Sequence, residues 1–419
     1  MKKYEILIIT QYFWPESFKI NDLAFSLNSK GHNVAVITGI PNYPNGSYYK
    51  GYGLFKNRNQ IINNVKITRS ILFPRLSAKL FPLLLNYISF AFFASLKVLT
   101  IKKKYDVIFV YEPSPISVGI PALVLKKVKK TPIIFWVTDL WPESVTATYK
   151  FSKKVKGVVV FFLDILVKKI YHETDKILVT SKGFIDSIKK KNVPVSKLIY
   201  FPQWAENIFI QKNANKIEFE HVPKNSFKIL FAGNIGEAQD FDSILKAMLF
   251  LKNNARIHWI IVGSGRKKNW LKNKVNFHNL SSNVHILNSY PIEKMPDFYN
   301  SADCLLFSLK KEYIFSITVP TKVQTYLASG KPIIGMVDGE AANIIKKSKS
   351  GLISNAGDSE GLSENILNLS RMDKTELSIL GKRGLKYYNE EFNREKLINK
   401  LEILITEVLD GDQTRSDTD

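Results

Sequence analysis

Cysteine is almost missing from this chain of 419 residues. The single thiol, Cys304, stands in the apolar run Cys304-Leu-Leu-Phe, so an intramolecular disulfide is impossible, and a chain without cross-links fits a reducing compartment. Glycine is missing where a nicotinamide enzyme needs it. The first apolar run, Glu5 to Thr10, leads into Gln11-Tyr-Phe-Trp-Pro-Glu-Ser-Phe-Lys-Ile-Asn, which contains none. A dinucleotide fold sets G-x-G-x-x-G in that turn so that the backbone can approach the pyrophosphate, and its absence argues against a dehydrogenase. The N-terminus also lacks a signal-peptide core. After Met1-Lys-Lys the apolar run is about five residues, against the seven to fifteen of such a core, and it predicts a first strand instead.

Acidic residues are scarce in one half only. Up to Trp204 there are 31 Lys and Arg against 11 Asp and Glu, a balance of +20; beyond it the counts are 29 and 26, a balance of +3. A nucleic-acid binder would also be basic, but zinc spacing, a helix-turn-helix signature and an RNP-like aromatic run are all missing, so no nucleic-acid partner is expected. An anionic membrane surface or an anionic lipid-linked substrate suits the basic half better.

What is present is strand-and-helix grammar, used twice, in a chain too long for one core. In the first half, strands are predicted at Glu5 to Thr10, Val34 to Thr38, Asp106 to Tyr111, Pro132 to Val137, Ile177 to Ser181 and Leu198 to Phe201, with helices near 21–30 and 116–130. In the second, strands at Lys228 to Ala232, His258 to Val262, Val284 to Leu287, Cys304 to Ser308 and Ile333 to Gly335 alternate with helices near 241–251, 267–274, 292–301 and 320–329. This gives an α/β chain: a first domain over 1–204, an aperiodic linker over 205–225, a second domain over 226–392, a last helix over 393–410 and a polar tail over 411–419. Asp410-Gly-Asp412 spells D-x-D, but a tail offers no convergent ligands, and no metal site is expected.

Two stretches of the first half bear on membranes. Leu80 to Ile101 is long enough to span a bilayer, yet Pro82, Asn86 and Lys97 interrupt it and a strand follows directly, so a buried or membrane-touching helix is predicted. Lys153 to Lys169 has an apolar body with lysines at both ends, which suits a helix lying at an interface. The loop Pro41 to Gly53 offers aromatics for a carbohydrate or lipid.

The richest stretch is V-P-T-K-V-Q-T-Y-L-A-S-G-K-P-I-I-G-M, Val319 to Met336. Proline at a helix start and glycine at its end predict a short helix whose free N–H groups, with Lys322, Thr321 and Thr325, suit a phosphate. Gly233, Asn234 and Gly236 follow one strand, where small residues let backbone approach a ligand. Gly263-Ser-Gly265-Arg266 follows the next, and Arg266 is a further phosphate candidate. Asp139 and Glu143 lie just past a strand end, where open α/β sheets bind ligands.

P-T-K-V-Q-T-Y-L-A-S-G-K-P-I-I and F-A-G-N-I-G (Phe231 to Gly236), with Q-Y-F-W-P-E (Gln11 to Glu16) and D-L-W-P-E-S (Asp139 to Ser144), resemble the retaining glycosyltransferases of family 4, and within them the WbuB-like group that builds bacterial surface polysaccharides. The resemblance implies the GT-B fold, two facing Rossmann-like doubly wound domains, with the last helix crossing back to the first. It implies a sugar moved from a nucleotide diphospho-sugar, UDP-linked, to an undecaprenyl-diphosphate-linked saccharide, in O-antigen or capsule synthesis, without a metal cofactor, on the cytoplasmic face of the cell membrane. By this resemblance Asp139 and Glu16 are the catalytic candidates and Asn21 and Glu143 lie on the acceptor side. Gly233, Asn234, Gly236, Arg266, Thr321, Lys322, Thr325 and Glu340 lie around the donor. The chain departs from the family in three respects: the loop after its first strand has no glycine; the Arg and Lys that usually follow the first strand of the second domain are missing, which leaves the diphosphate to Lys322 and Arg266; and the usual glutamate pair falls on Ile317 and Thr325, so that Glu312 or Glu340 would have to substitute. A nucleotide-sugar 2-epimerase of the same fold, or a nucleotide-sugar-binding scaffold without turnover, are the alternatives.

Overall fold

The computed structural model describes residues 2–76, 80–149, 152–210 and 215–416. Two compact units result, Met1–Pro202 together with Glu395–Asp419, and Gln203–Arg394.

The first unit holds β1 (Glu5–Ile9), β2 (Asn33–Gly39), β3 (Asn59–Ile62), β4 (Val65–Ser70), β5 (Val107–Glu112), β6 (Ile133–Val137), β7 (Lys176–Val179) and β8 (Leu198–Tyr200). Their order is β3-β4-β2-β1-β5-β6-β7-β8, parallel throughout except where β3 runs against β4. β5 and β6, V-I-F-V-Y-E and I-I-F-W-V, are buried at every position, as unbroken apolar runs must be in a parallel sheet covered on both faces. The chain leaves β1 toward β2 on one side and later returns to β5 on the other. That reversal opens a crevice at the carboxyl ends of β1 and β5.

The second unit repeats the plan with β9 (Phe227–Ala232), β10 (Ile257–Val262), β11 (Val284–Leu287), β12 (Cys304–Ser308), β13 (Ile333–Met336) and β14 (Gly351–Ser354), ordered β11-β10-β9-β12-β13-β14. Side chains alternate across the sheet: Leu230, Ile260 and Leu305 pack with Tyr326 on one face, while Ile229, Phe231 and Trp259 pack with Phe241 on the other. Its crevice lies where β9 has β10 on one side and β12 on the other.

Several expectations need correction. The stretch 205–225 is no free linker, because Ala205 and Phe209 are buried in the second core and Ile217, Phe219 and Val222 pack against it; an irregular chain crossing a core shows no period. The tail is helical as far as Ser416, since the last helix runs Arg394–Ser416; residues 417–419 lie outside the described residues. That helix belongs to the first unit, where Glu402 meets Lys30 and His32, each at 3.0 Å. Of the tyrosines in the loop after β2 only Tyr43 stays exposed: Tyr48 donates to Leu72 O and Tyr49 to Tyr43 O, both at 2.6 Å. The β3–β4 pair, β14 and the helix Gly339–Ser348 were not legible as elements.

The helix Leu80–Leu99 is long and apolar enough to cross a membrane, but 44% of that window is buried within its unit. Asn86, fully buried, accepts from Gln11 Nε2 at 2.7 Å and donates to Phe73 O at 2.5 Å. Such bonds tie its inner face to the sheet. Its outer face keeps Phe81, Ile88 and Phe92 in the open.

Candidate active site

In the second unit, β9 and β10 are each followed by a glycine in a backbone conformation that other residues rarely adopt. Gly233 has φ +137° and Gly263 φ +153°, so their loops meet tightly: Gly233 N donates to Val262 O at 2.9 Å and Ile235 N to Ser264 O at 2.7 Å. A Cβ on Gly263 would run into Gly233 O, and one on Gly233 would stand 3.0 Å from Lys322 Nζ. The absent side chain at Gly233 is therefore what lets the ammonium reach the turn.

Lys322 comes from the first turn of the helix Thr321–Ala328, with Pro320 at its N-cap. Its Nζ lies 4.1 Å from the centre of the Phe231 ring, and burial pushes its pKa down to about 7. A cation beside free helix N–H groups at a glycine turn is built to receive negative charge. The cleft there, ≈ 450 Å³, is lined by Gly233, Asn234, Gly263, Ser264, Thr321, Lys322 and Thr325, and by Glu206, Ser289 and Tyr290.

In the first unit a second cleft, ≈ 520 Å³, opens at the strand ends past β1, β5 and β6. Asp139 lines it. Its carboxylate accepts from Trp141 Nε1 at 3.2 Å and from Ser144 Oγ, and burial raises its pKa against the pull of those bonds. Beneath it Glu112 is fully buried, with both carboxyl oxygens unbonded. Burial, then the neighbouring Asp139 charge, hold Glu112 protonated far above the usual range.

Glu16 does not reach either cleft. It is 1% exposed, and Oε1 accepts from the backbone N–H groups of Asn42 at 2.8 Å and Tyr43 at 2.7 Å; burial pushes its pKa up to about 7 despite those bonds. It fastens the loop after β2 and is not placed for catalysis. Glu16→Ala should strand two N–H groups and cost about 2 kcal/mol or more of stability, read as a lower denaturation midpoint. An unchanged midpoint would overturn that role.

Family models match both units: Glycosyltransferase Family 4 over residues 20–203, and Glycosyl transferases group 1 over residues 226–372. The chain belongs to glycosyltransferase family 4. A protein of Escherichia coli K12 named as a colanic acid biosynthesis glycosyl transferase, WcaI, is 23% identical over 73% of this chain and 75% of its own. Pseudomonas aeruginosa WbjE, named as a glycosyltransferase, is 23% identical over 65% of this chain and 69% of its own. The fold is GT-B: HepE of Anabaena, solved with UDP, matches with a TM-score of 0.69 at 11% identity, over 96% of this chain and 100% of its own.

Within this family 4 enzyme the structure brings Gly233, Asn234, Thr321, Lys322 and Thr325 into one cleft and leaves other donor candidates out. Gly236 is buried, its N–H taken by Gln239 Oε1 at 3.2 Å. Arg266 sits exposed past the turn of Gly265. Glu340 opens the helix Gly339–Ser348, whose start packs on Ser316, so it does not line the cleft; nor does Glu312. On the acceptor side, Asn21 ties the loop after β1 to the next helix, accepting from Trp14 N at 3.1 Å and donating to Glu16 O at 2.7 Å. Glu143 faces Lys191 at 3.7 Å rather than the cleft. Sequence reading missed Glu206, because the apparent linker hid it, and Tyr290, because a lone tyrosine after a strand carries no signal.

Proposed function

We propose that this glycosyltransferase moves a sugar, with retention, from a UDP-linked donor in the cleft of the second unit to an undecaprenyl-diphosphate-linked saccharide bound by the first, in the synthesis of an O-antigen, capsule or similar bacterial surface polysaccharide. The observation that carries this reading is the Lys322 ammonium at the Gly233 turn, at the start of a helix. HepE was solved with UDP and WcaI is named for colanic acid synthesis, which supports a nucleotide-sugar donor and a polysaccharide product. The departing diphosphate gathers charge as the sugar leaves; Lys322 and the helix N–H groups would stabilise it without a metal. The leaving oxygen can take the acceptor's proton, with Asp139 holding the acceptor hydroxyl. Tyr290, 45% exposed in the donor cleft, offers a face for the base. Glu206 offers a carboxylate for ribose hydroxyls in place of the family's glutamate.

The test is a panel of UDP-sugars with bacterial membranes as acceptor source and NMR of the product. Transfer with the donor's anomeric configuration kept is expected. An inverted centre would refute the mechanism, and nucleotide binding without turnover would favour a scaffold.

The first unit is proposed to dock on an anionic membrane. Its charge balance supports this, as do Val158, Phe161 and Ile165, exposed on the helix Lys153–Glu173. Each Lys or Arg near such a leaflet contributes roughly 1 kcal/mol, and buried apolar area adds about 25 cal/mol per Å². Sedimentation should recover the protein with anionic vesicles at low salt and release part of it at high salt. Recovery in the supernatant with anionic and neutral vesicles alike would exclude docking.

A further inference from the structure

We propose that the ≈ 520 Å³ cleft of the first unit is a lipid slot, taking the head-proximal isoprene units of a polyprenyl diphosphate from the bilayer between the helices Leu80–Leu99 and Lys153–Glu173, with Arg75 holding the diphosphate. This inference rests on the lipid-linked acceptor of the function proposed above.

The walls come from those two helices. Leu83, Leu84 and Tyr87 project from one, Val158, Phe162 and Leu163 from the other. Leu84 is 41% exposed, Val158 57% and Phe162 64%, so the slot's own lining runs out to the surface over apolar side chains. It joins the open faces that carry Ile88 and Phe161. A pocket for a water-borne sugar would close its mouth with polar groups; an apolar mouth continuous with an apolar face suits a ligand that arrives from a hydrocarbon phase. The volume falls within the roughly 300–1,000 Å³ of small-ligand sites, room for the first part of a chain whose remainder stays in the membrane.

The same cleft also carries polar groups. The Arg75 guanidinium lies 5.1 Å from the centre of the Tyr43 ring, and no carboxylate among the described residues pairs with it. A cation left unpaired in an apolar slot is the complement of an anionic head group, and a guanidinium binds phosphate oxygens two at a time. Asp139, Ser114 and Ser144 line the same cleft and lie together, Ser144 Oγ donating to the Asp139 carboxylate; there the saccharide beyond the diphosphate would meet the strand ends. The one cleft therefore supplies apolar walls, a cation and a carboxylate, the three groups that a lipid-linked sugar diphosphate calls for.

The test uses calorimetry on the full chain without membranes, with farnesyl diphosphate, farnesol and inorganic diphosphate as probes. Farnesyl diphosphate should bind at least tenfold tighter than either fragment. Val158→Trp and Leu84→Trp fill the slot from exposed positions; each should weaken farnesyl diphosphate at least tenfold, with the melting temperature and UDP binding unchanged. Arg75→Gln should weaken farnesyl diphosphate about tenfold and leave farnesol alone. Farnesyl diphosphate binding no tighter than inorganic diphosphate, or unaffected by both Trp variants, would overturn the slot. The underlying reading fails separately. Trp variants that lose farnesyl diphosphate while the wild type transfers only to soluble saccharides would keep the slot and remove the lipid-linked acceptor, whereas Trp variants that still modify a lipid-linked acceptor at the wild-type rate would remove the slot alone.

Discussion

Lys322→Ala is expected to lower sugar transfer tenfold to a hundredfold. The ammonium stands 3.0 Å from the place of a Gly233 Cβ, where a diphosphate oxygen can approach, and a hydrogen bond to a charged group contributes roughly 1.5–3 kcal/mol. The change should appear in kcat/KM, with the fold intact, because burying this amine costs stability. Linkage gives the sign. Burial holds Lys322 at about 7 in the folded protein against an ordinary 10.5, so between those values the unfolded chain binds more protons and stability rises with pH; the cost is fully present below about pH 7. Removing the amine therefore raises stability near neutral pH. A bound diphosphate restores the ammonium, so UDP binding should take up close to one proton at pH 8.5 and weaken as pH rises above about 7. Calorimetry in buffers of different ionisation heat reads that proton directly. No uptake in the wild-type protein, or the same uptake in Lys322→Ala, would return Lys322 to a packing role.

Asp139→Asn is expected to lower kcat by about tenfold to a hundredfold, since its carboxylate holds the acceptor hydroxyl by a charge-assisted hydrogen bond of roughly 1.5–3 kcal/mol. The amide keeps an acceptor for Trp141 Nε1 and stays close to Ser144, so the start of the helix Glu143–Thr148 should survive and UDP affinity should not change. Burial, the largest cause, raises the Asp139 pKa. The carboxylate is then lost at higher pH than for an exposed Asp, and the acid limb of the rate profile should sit correspondingly high. In Asp139→Asn that limb should vanish. The buried Glu112 below contributes by staying protonated, since a second charge there would push the Asp139 carboxyl further up. If kcat and the acid limb survive the substitution, Asp139 only fixes the turn after β6.

The residues alone determined the fold class. Unbroken apolar runs such as Ile133–Val137 can only be strands buried on both faces, and their alternation with helices leaves a doubly wound sheet, twice. They also marked Lys322 as a cation at a helix start, because proline before a short helix and glycine after it fix where that helix begins and ends. What the residues alone did not sort were the carboxylates. Glu16 and Asp139 each follow a strand with Trp-Pro nearby, and nothing local distinguishes them; only the tertiary structure turns Glu16 onto the N–H groups of Asn42 and Tyr43 and leaves Asp139 at the cleft. Arg266 and Glu340 carry the right charge, but which way a loop or a helix start faces is decided by packing far along the chain, as Ser316 decides it for Gly339. The residues 205–225 looked featureless because an irregular segment has no period, although Phe209 stacks on Tyr299 at 5.3 Å in the second core. Composition and spacing therefore determined most of the strands and helices and marked Lys322 at a helix start. The burial and orientation of single side chains, which depend on contacts between residues distant in sequence, were decided by the tertiary structure alone.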